Sequence, residues 1–205
     1  MTLCPSGYPT HSCTRRSQYS NTTDCAIKRK RTAWLTRKDN HVPDRSLTIE
    51  QILPMLAATP PRIAQLTVGL APAQLQAAPA PGAWSANQVL AHLRACADMW
   101  GNCIAAIITQ DHPTLRAVNP RTWVDQTDYR EQAFQSSLQA FAEQRATLLT
   151  TLEGLAPEDW ARSATVTGAG RPLERTARFY AEWLVTHERP HVKQIGHIAS
   201  AMRSA

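Results

Sequence analysis

From Leu47 onward, apolar residues recur at intervals of three and four. Ile49, Ile52, Leu53, Leu56 and Ile63 form the first such stripe, the spacing of a helix that buries one face. Pro54 and the Pro60-Pro61 pair interrupt it, so the pattern predicts a kinked helix or two short ones ending near Gly69. The next helix has a clear start. Ser85 with Gln88 makes a capping box, and Trp84 can staple onto Val89. It runs to about Thr109, and Val89, Cys96, Met99, Cys103 and Ile107 all fall within about 60° of His92 around its axis. An imidazole at the centre of an apolar stripe needs something to satisfy it.

Residues 110–127 read as a long connection carrying Pro113, Pro120 and Trp123. Asp128 with Glu131 predicts the start of a third helix, which extends to about Glu153 with Phe134, Leu138, Phe141, Leu148 and Leu152 inward. Arg145 falls inside that stripe. Such a guanidinium either pairs with a buried carboxylate, snorkels to water, or anchors an anionic group of a cofactor or substrate. Pro172 predicts the opening of the last helix, with Leu173, Ala177, Tyr180, Leu184, Ile195 and Ile198 as its stripe. His187 and His191 lie within about 40° of the centre of this stripe, whereas His197 points away and is expected in solvent. Pro190 sits between the two inward histidines, where it is expected to kink the helix or add a bulge.

The segment Gly69-Leu70-Ala71-Pro72 recurs 85 residues later as Gly154-Leu155-Ala156-Pro157. Both halves therefore read as helix, turn, loop, helix, a hint of two related helical hairpins. Thr167-Gly168-Ala169-Gly170 lacks a lysine in P-loop position and reads as a turn.

Charge changes the picture only at the N-terminus. The chain of 205 residues carries a formal charge of +6, yet residues 46–205 hold thirteen basic and thirteen acidic residues. Residues 1–45 hold nine basic and three acidic ones, are rich in Ser and Thr, and lack apolar periodicity, so a disordered basic tail is expected there. An extension upstream of the domain's own start would have the same composition. A nucleic-acid partner of the main domain thereby loses its chief support and is left to the tail, through Lys28-Arg29-Lys30-Arg31. No apolar signal core and no membrane-spanning run is present, which predicts no membrane contact. Five cysteines without framework or CxxC spacing fit a reducing cytoplasm.

Three histidines, His92, His187 and His191, thus point inward from two helices, two of them at the i, i+4 spacing of a shared metal ion. Such a set leaves coordination positions open for water or substrate, the catalytic arrangement. Cys96, one turn after His92, is either a reserve ligand or a small buried hydrophobe.

Several stretches together carry a resemblance. They are Thr59-Pro60, Pro81-Gly82-Ala83-Trp84-Ser85, Leu90-Ala91-His92-Leu93, Phe141 with Arg145, and His187-Glu188-Arg189-Pro190-His191 followed by Gln194-Ile195. Over residues 46–200 the sequence resembles the DinB/YfiT-like superfamily of small four-helix bundles. The resemblance implies an all-α, four-helix bundle domain over residues 46–205. It also implies a divalent metal, often zinc or nickel, held at His92, His187 and His191. Relatives include thiol-dependent S-transferases and isomerases that use a low-molecular-weight thiol, so a metal-dependent transferase or hydrolase with a small-molecule substrate is the expectation. A homodimer is one assembly open to such a bundle. The competing reading is a non-catalytic binding or stress-response protein whose metal site is degraded. Glu188, beside the first ligand of the last helix, is expected behind the ligands or at the surface.

Overall fold

The computed structural model describes residues 46–204; the tail expected over residues 1–45, with its basic run and three cysteines, lies outside the described residues. Four long helices make the body: α1 (Ile49–Thr67), α3 (Ala86–Thr109), α5 (Phe134–Glu153) and α6 (Ala177–Ser204). Two short ones, α2 (Pro72–Gln76) and α4 (Pro120–Val124), lie in the connections. The core is formed by residues such as Ile52, Leu56, Ile63, Leu90, Leu93, Phe141, Leu184 and Ile195, all fully buried.

The packing order is the feature that positions everything else. Both α1 and α3 pack mainly on α5 and α6. α1 and α3, consecutive in the chain, therefore stand diagonally across the bundle, as do α5 and α6, whereas α3 and α5 are neighbours. This corrects the expectation of two helical hairpins. The repeated Gly-Leu-Ala-Pro segments also differ in backbone, with Gly69 left-handed at φ 79 and Gly154 helical at φ −81.

α1 is one continuous helix in spite of Pro54, Pro60 and Pro61. Its buried face, with Ile52, Leu56, Thr59, Pro60 and Ile63, supplies packing that outweighs the lost amide bonds. Pro54 and Pro61 lie on the exposed side, where water can reach the freed carbonyls. α6 likewise stays helical through the exposed Pro190, with no π-turn in its run, so the expected bulge is absent.

Three further boundaries differ from the sequence pattern. α5 starts at Phe134 because residues 128–132 form a turn, with the Glu131 amide donating to the Asp128 carbonyl at 3.0 Å. The remaining two changes follow from a small sheet. β1 (Thr114–Arg116) pairs in parallel with β2 (Ser163–Thr167), which pairs antiparallel with β3 (Leu173–Thr176). Gly168 and Gly170, at φ 87 and φ 107, make the β2–β3 turn that Thr167–Gly170 suggested. Leu173 therefore belongs to a strand, and α6 begins at Ala177, where Thr176 caps it by accepting the Phe179 amide at 3.0 Å.

The start of α3 is as the sequence indicates. The Ser85 hydroxyl accepts the Gln88 amide at 3.2 Å while the Gln88 side chain accepts the Ser85 amide at 2.9 Å. A buried polar network then holds the α4–α5 connection to α3. Asn87 donates to the carbonyls of Arg130 and Gln132, and the Arg94 guanidinium lies 3.8 Å from the Tyr129 ring centre. No helix among the described residues is long and apolar enough to cross a membrane.

Replacing Ser85 by Ala is expected to lower stability by about 1 kcal/mol. A shift of the urea midpoint without a change of slope would confirm that the cap alone was lost.

Candidate metal centre

Because α3 and α6 are packed neighbours, His92 and Cys96 of the first face His187 and His191 of the second. His92 and Cys96 are buried, and the two α6 histidines are half-buried at the edge of the bundle. The Nε2 atoms of His92 and His187 lie 3.3 Å apart, and Cys96 Sγ lies 3.6 Å from the first and 4.0 Å from the second. A tetrahedral ion with bonds of about 2.0–2.1 Å to nitrogen and about 2.3 Å to sulfur would set these edges near ~3.4 and ~3.6 Å. The donor atoms thus stand at the separations a single small ion requires.

All three histidines expected from the sequence do meet. Ring centres are 5.1 Å apart for His92 and His187, 4.9 Å for His92 and His191, and 4.7 Å for His187 and His191. The close set of ligand atoms, all within 4.8 Å of one another, is however His92, Cys96 and His187. His191 stands beside that set, with its Nδ1 at 3.1 Å from the Gln194 side-chain oxygen. Cys96 is at once a fully buried side chain and a donor within reach. His197 is exposed, in agreement with its place on the helix wheel.

Two indoles close the cluster. Trp84 meets His92 edge-on at 5.4 Å and stacks over His191 at 6.5 Å, and Trp100 meets His187 edge-on at 4.8 Å. In this dry setting burial, with His191 and His92 adding to it, pushes the His187 pKa down from 6.5 to about 3. Burial lowers His191 as well, against the opposing hydrogen bond that its Nδ1 donates to Gln194. His187 is therefore a neutral imidazole with a lone pair to give, and its buried Nδ1 has no hydrogen-bond partner. Burial, with the nearby Glu188 carboxylate, pushes the Cys96 thiol up, so it remains protonated until a cation displaces the proton. Two imidazoles, a thiol and an adjoining third imidazole make a donor set that fits a divalent transition metal.

Of the roles open to Arg145, the structure shows the pairing with a buried carboxylate, Glu188, rather than the anchor for an anionic group of a cofactor, and both side chains are only 2% exposed. Its charge is answered within the core, from α5 to α6, rather than by a ligand in an open pocket. Glu188 is not at the surface. Burial raises its carboxyl pKa, while Arg145 and the Thr59 hydroxyl of α1 pull it back down. The sequence held a signal for this partner, since Glu188 follows Leu184 by one helical turn on the inward stripe.

A family model described as the DinB superfamily matches residues 55–195. Among solved structures the chain is similar to YfiT from Bacillus subtilis, with a TM-score of 0.67 and 19% identity, covering 80% of this chain and 94% of that one. That protein is described as a probable metal-dependent hydrolase with an unusual four-helix bundle topology. At this identity the likeness is one of fold. No curated protein matches the chain.

Removing one member of the buried ion pair strands the other. Glu188→Ala is expected to cost about 3–5 kcal/mol, and the double change Arg145→Met with Glu188→Leu to recover most of it, as read by chemical denaturation. A second expectation concerns pH. The folded-state pKa of His187 lies below its unfolded value, so on acidification the unfolded chain takes up the proton first. Stability of chelator-treated protein should be intact above about pH 6.5 and fall as pH drops toward 3; His187→Gln should flatten that fall.

Proposed function

The chain belongs to the DinB superfamily, and from that premise we propose that it is a metal-dependent enzyme acting on a small electrophilic molecule. The nucleophile it activates is a low-molecular-weight thiol or a water molecule. One observation carries the reading: two imidazole nitrogens and a buried sulfur converge at ion-binding separations, with a third imidazole beside them. Without a cation the three groups can satisfy one another only in part, since the buried His187 Nδ1 stays without a partner.

His92 and His187 would hold the ion, with Cys96 as the sulfur donor and His191 as the imidazole nearest the surface. A zinc or nickel ion there would supply Lewis acidity, polarising a carbonyl and lowering the pKa of a thiol or water that reaches it. The protein's own contribution is placement. The His187 lone pair is kept free by burial, the rings are set by Trp84 and Trp100, and α6 is held in orientation by Glu188. His191 faces a cleft of about 510 Å³ shared with Trp84, Gln194 and His197, by which a small nucleophile can arrive. A reducing cytoplasm suits this chemistry, because Cys96 must stay a thiol to serve.

The resemblance read from the motifs favours a thiol as nucleophile, and the description of the YfiT neighbour favours water. Product analysis separates them: a thioether or rearranged product that requires added thiol marks the first, and thiol-independent hydrolysis marks the second.

Protein purified without a histidine tag is expected to carry a stoichiometric divalent ion by elemental analysis, and His187→Ala to lose it. Cobalt-substituted protein should show a sulfur-to-cobalt charge-transfer band that Cys96→Ser abolishes. Equal metal content in wild type and His187→Ala, with no change of melting temperature on chelation, would leave the non-catalytic reading in its place.

A further inference from the structure

On the far side of Trp100 from His187 lies a second cleft, of about 610 Å³, walled by α3, α4, α6 and the sheet. That volume falls within the ordinary range of small-ligand sites, about 300–1,000 Å³. One wall is a run of aromatic rings. Phe179 stacks on Trp183 at 5.9 Å, Trp183 meets Trp100 edge-on at 6.1 Å, and Trp100 meets His187 at 4.8 Å. The wall thus ends one ring from the metal centre. Trp183 and Val118, at 37% and 39% exposure, are large apolar side chains left open to water at this cleft.

The charged groups that line it are of one sign. Arg116 of β1 and Arg175 of β3 line the cleft, and no carboxylate does. Arg175 lies over the Phe179 ring, 4.4 Å from its centre, and donates to the Glu174 carbonyl at 3.2 Å. The neighbouring Glu174 carboxylate projects from the opposite face of β3, where the Thr165 hydroxyl donates to it at 2.7 Å. Among the described residues neither guanidinium is in an ion pair. Trp123 lines the same cleft, and its indole N–H is buried without a hydrogen-bond partner. Two guanidinium groups beside an aromatic wall call for a ligand that brings a negative charge on an apolar body.

We propose that this cleft binds a small aromatic carboxylate, its ring against Trp100, Trp183 and Phe179 and its charge toward Arg116 and Arg175. Binding itself is independent of the metal. The role of this ligand as the enzyme's substrate rests on the metal-dependent reading above, with Trp100 as the shared wall between the two compartments.

Calorimetric titration with naphthoate, and with neutral naphthalenemethanol as its uncharged counterpart, tests the proposal on chelator-treated and zinc-loaded protein alike. Naphthoate is expected to bind saturably to both. Arg175→Met and Arg116→Ala are each expected to weaken it about tenfold while leaving the alcohol's affinity unchanged. Equal affinities for acid and alcohol, or naphthoate binding untouched by both substitutions, overturns the anion assignment. No binding of either compound overturns the cleft as a ligand site. Protein that holds no metal but binds naphthoate keeps the cleft and loses the enzyme; metal-loaded protein that ignores naphthoate does the reverse.

Discussion

A guanidinium and a carboxylate removed from water together bind each other across the centre of this bundle, and the site is arranged around that pair. Arg145 comes from α5 and Glu188 from α6, with Thr59 of α1 acting on the same carboxylate. Three of the four long helices are thus tied at one level. Successive residues on a helix point about 100° apart. Once Glu188 is turned toward α5 and α1, His187 is turned toward α3, where His92 and Cys96 wait. Desolvation makes such a pair a poor source of net stability, and its leverage here is on the rotation of α6. The prolines of α1 and α6 show the same hierarchy: packing of an inward face overrides local helix propensity, even at the buried Pro60.

The diagonal topology does the rest. If α1 and α3 packed as a hairpin, the α3 histidine would not face α6. With α3 and α6 adjacent, two imidazoles and a thiol come together near the edge of the core, between two tryptophans. The same adjacency leaves a wedge between the helices that the three-stranded sheet closes, and the aromatic cleft occupies that wedge. Metal centre and cleft are therefore products of one packing decision, and Trp100 belongs to both.

Legibility in the sequence varied with the range of the interaction. Ser85 and Gln88 announced α3 because a cap is a contact across three residues. The inward direction of His92, His187 and His191 was readable because helical periodicity is local. The small sheet was not readable, since β1 pairs with a strand some fifty residues away and β3 was masked by the helix-start signal of Pro172. Arg145 in an apolar stripe demanded an acid, but the stripe could not say whether the answer was Glu188 or a ligand.

The sequence by itself determined the four long helices, their buried faces, the inward direction of three histidines and the motifs of the family, because each depends on spacing within a chain segment. Only the tertiary structure decided that Cys96 joins His92 and His187 in the close set while His191 turns to Gln194, and that Glu188 is the partner of Arg145. It alone also formed the cationic aromatic cleft. These outcomes turn on the relative rotation of helices and on pairing between distant strands, and differences of an ångström or two there decide which atoms share a site.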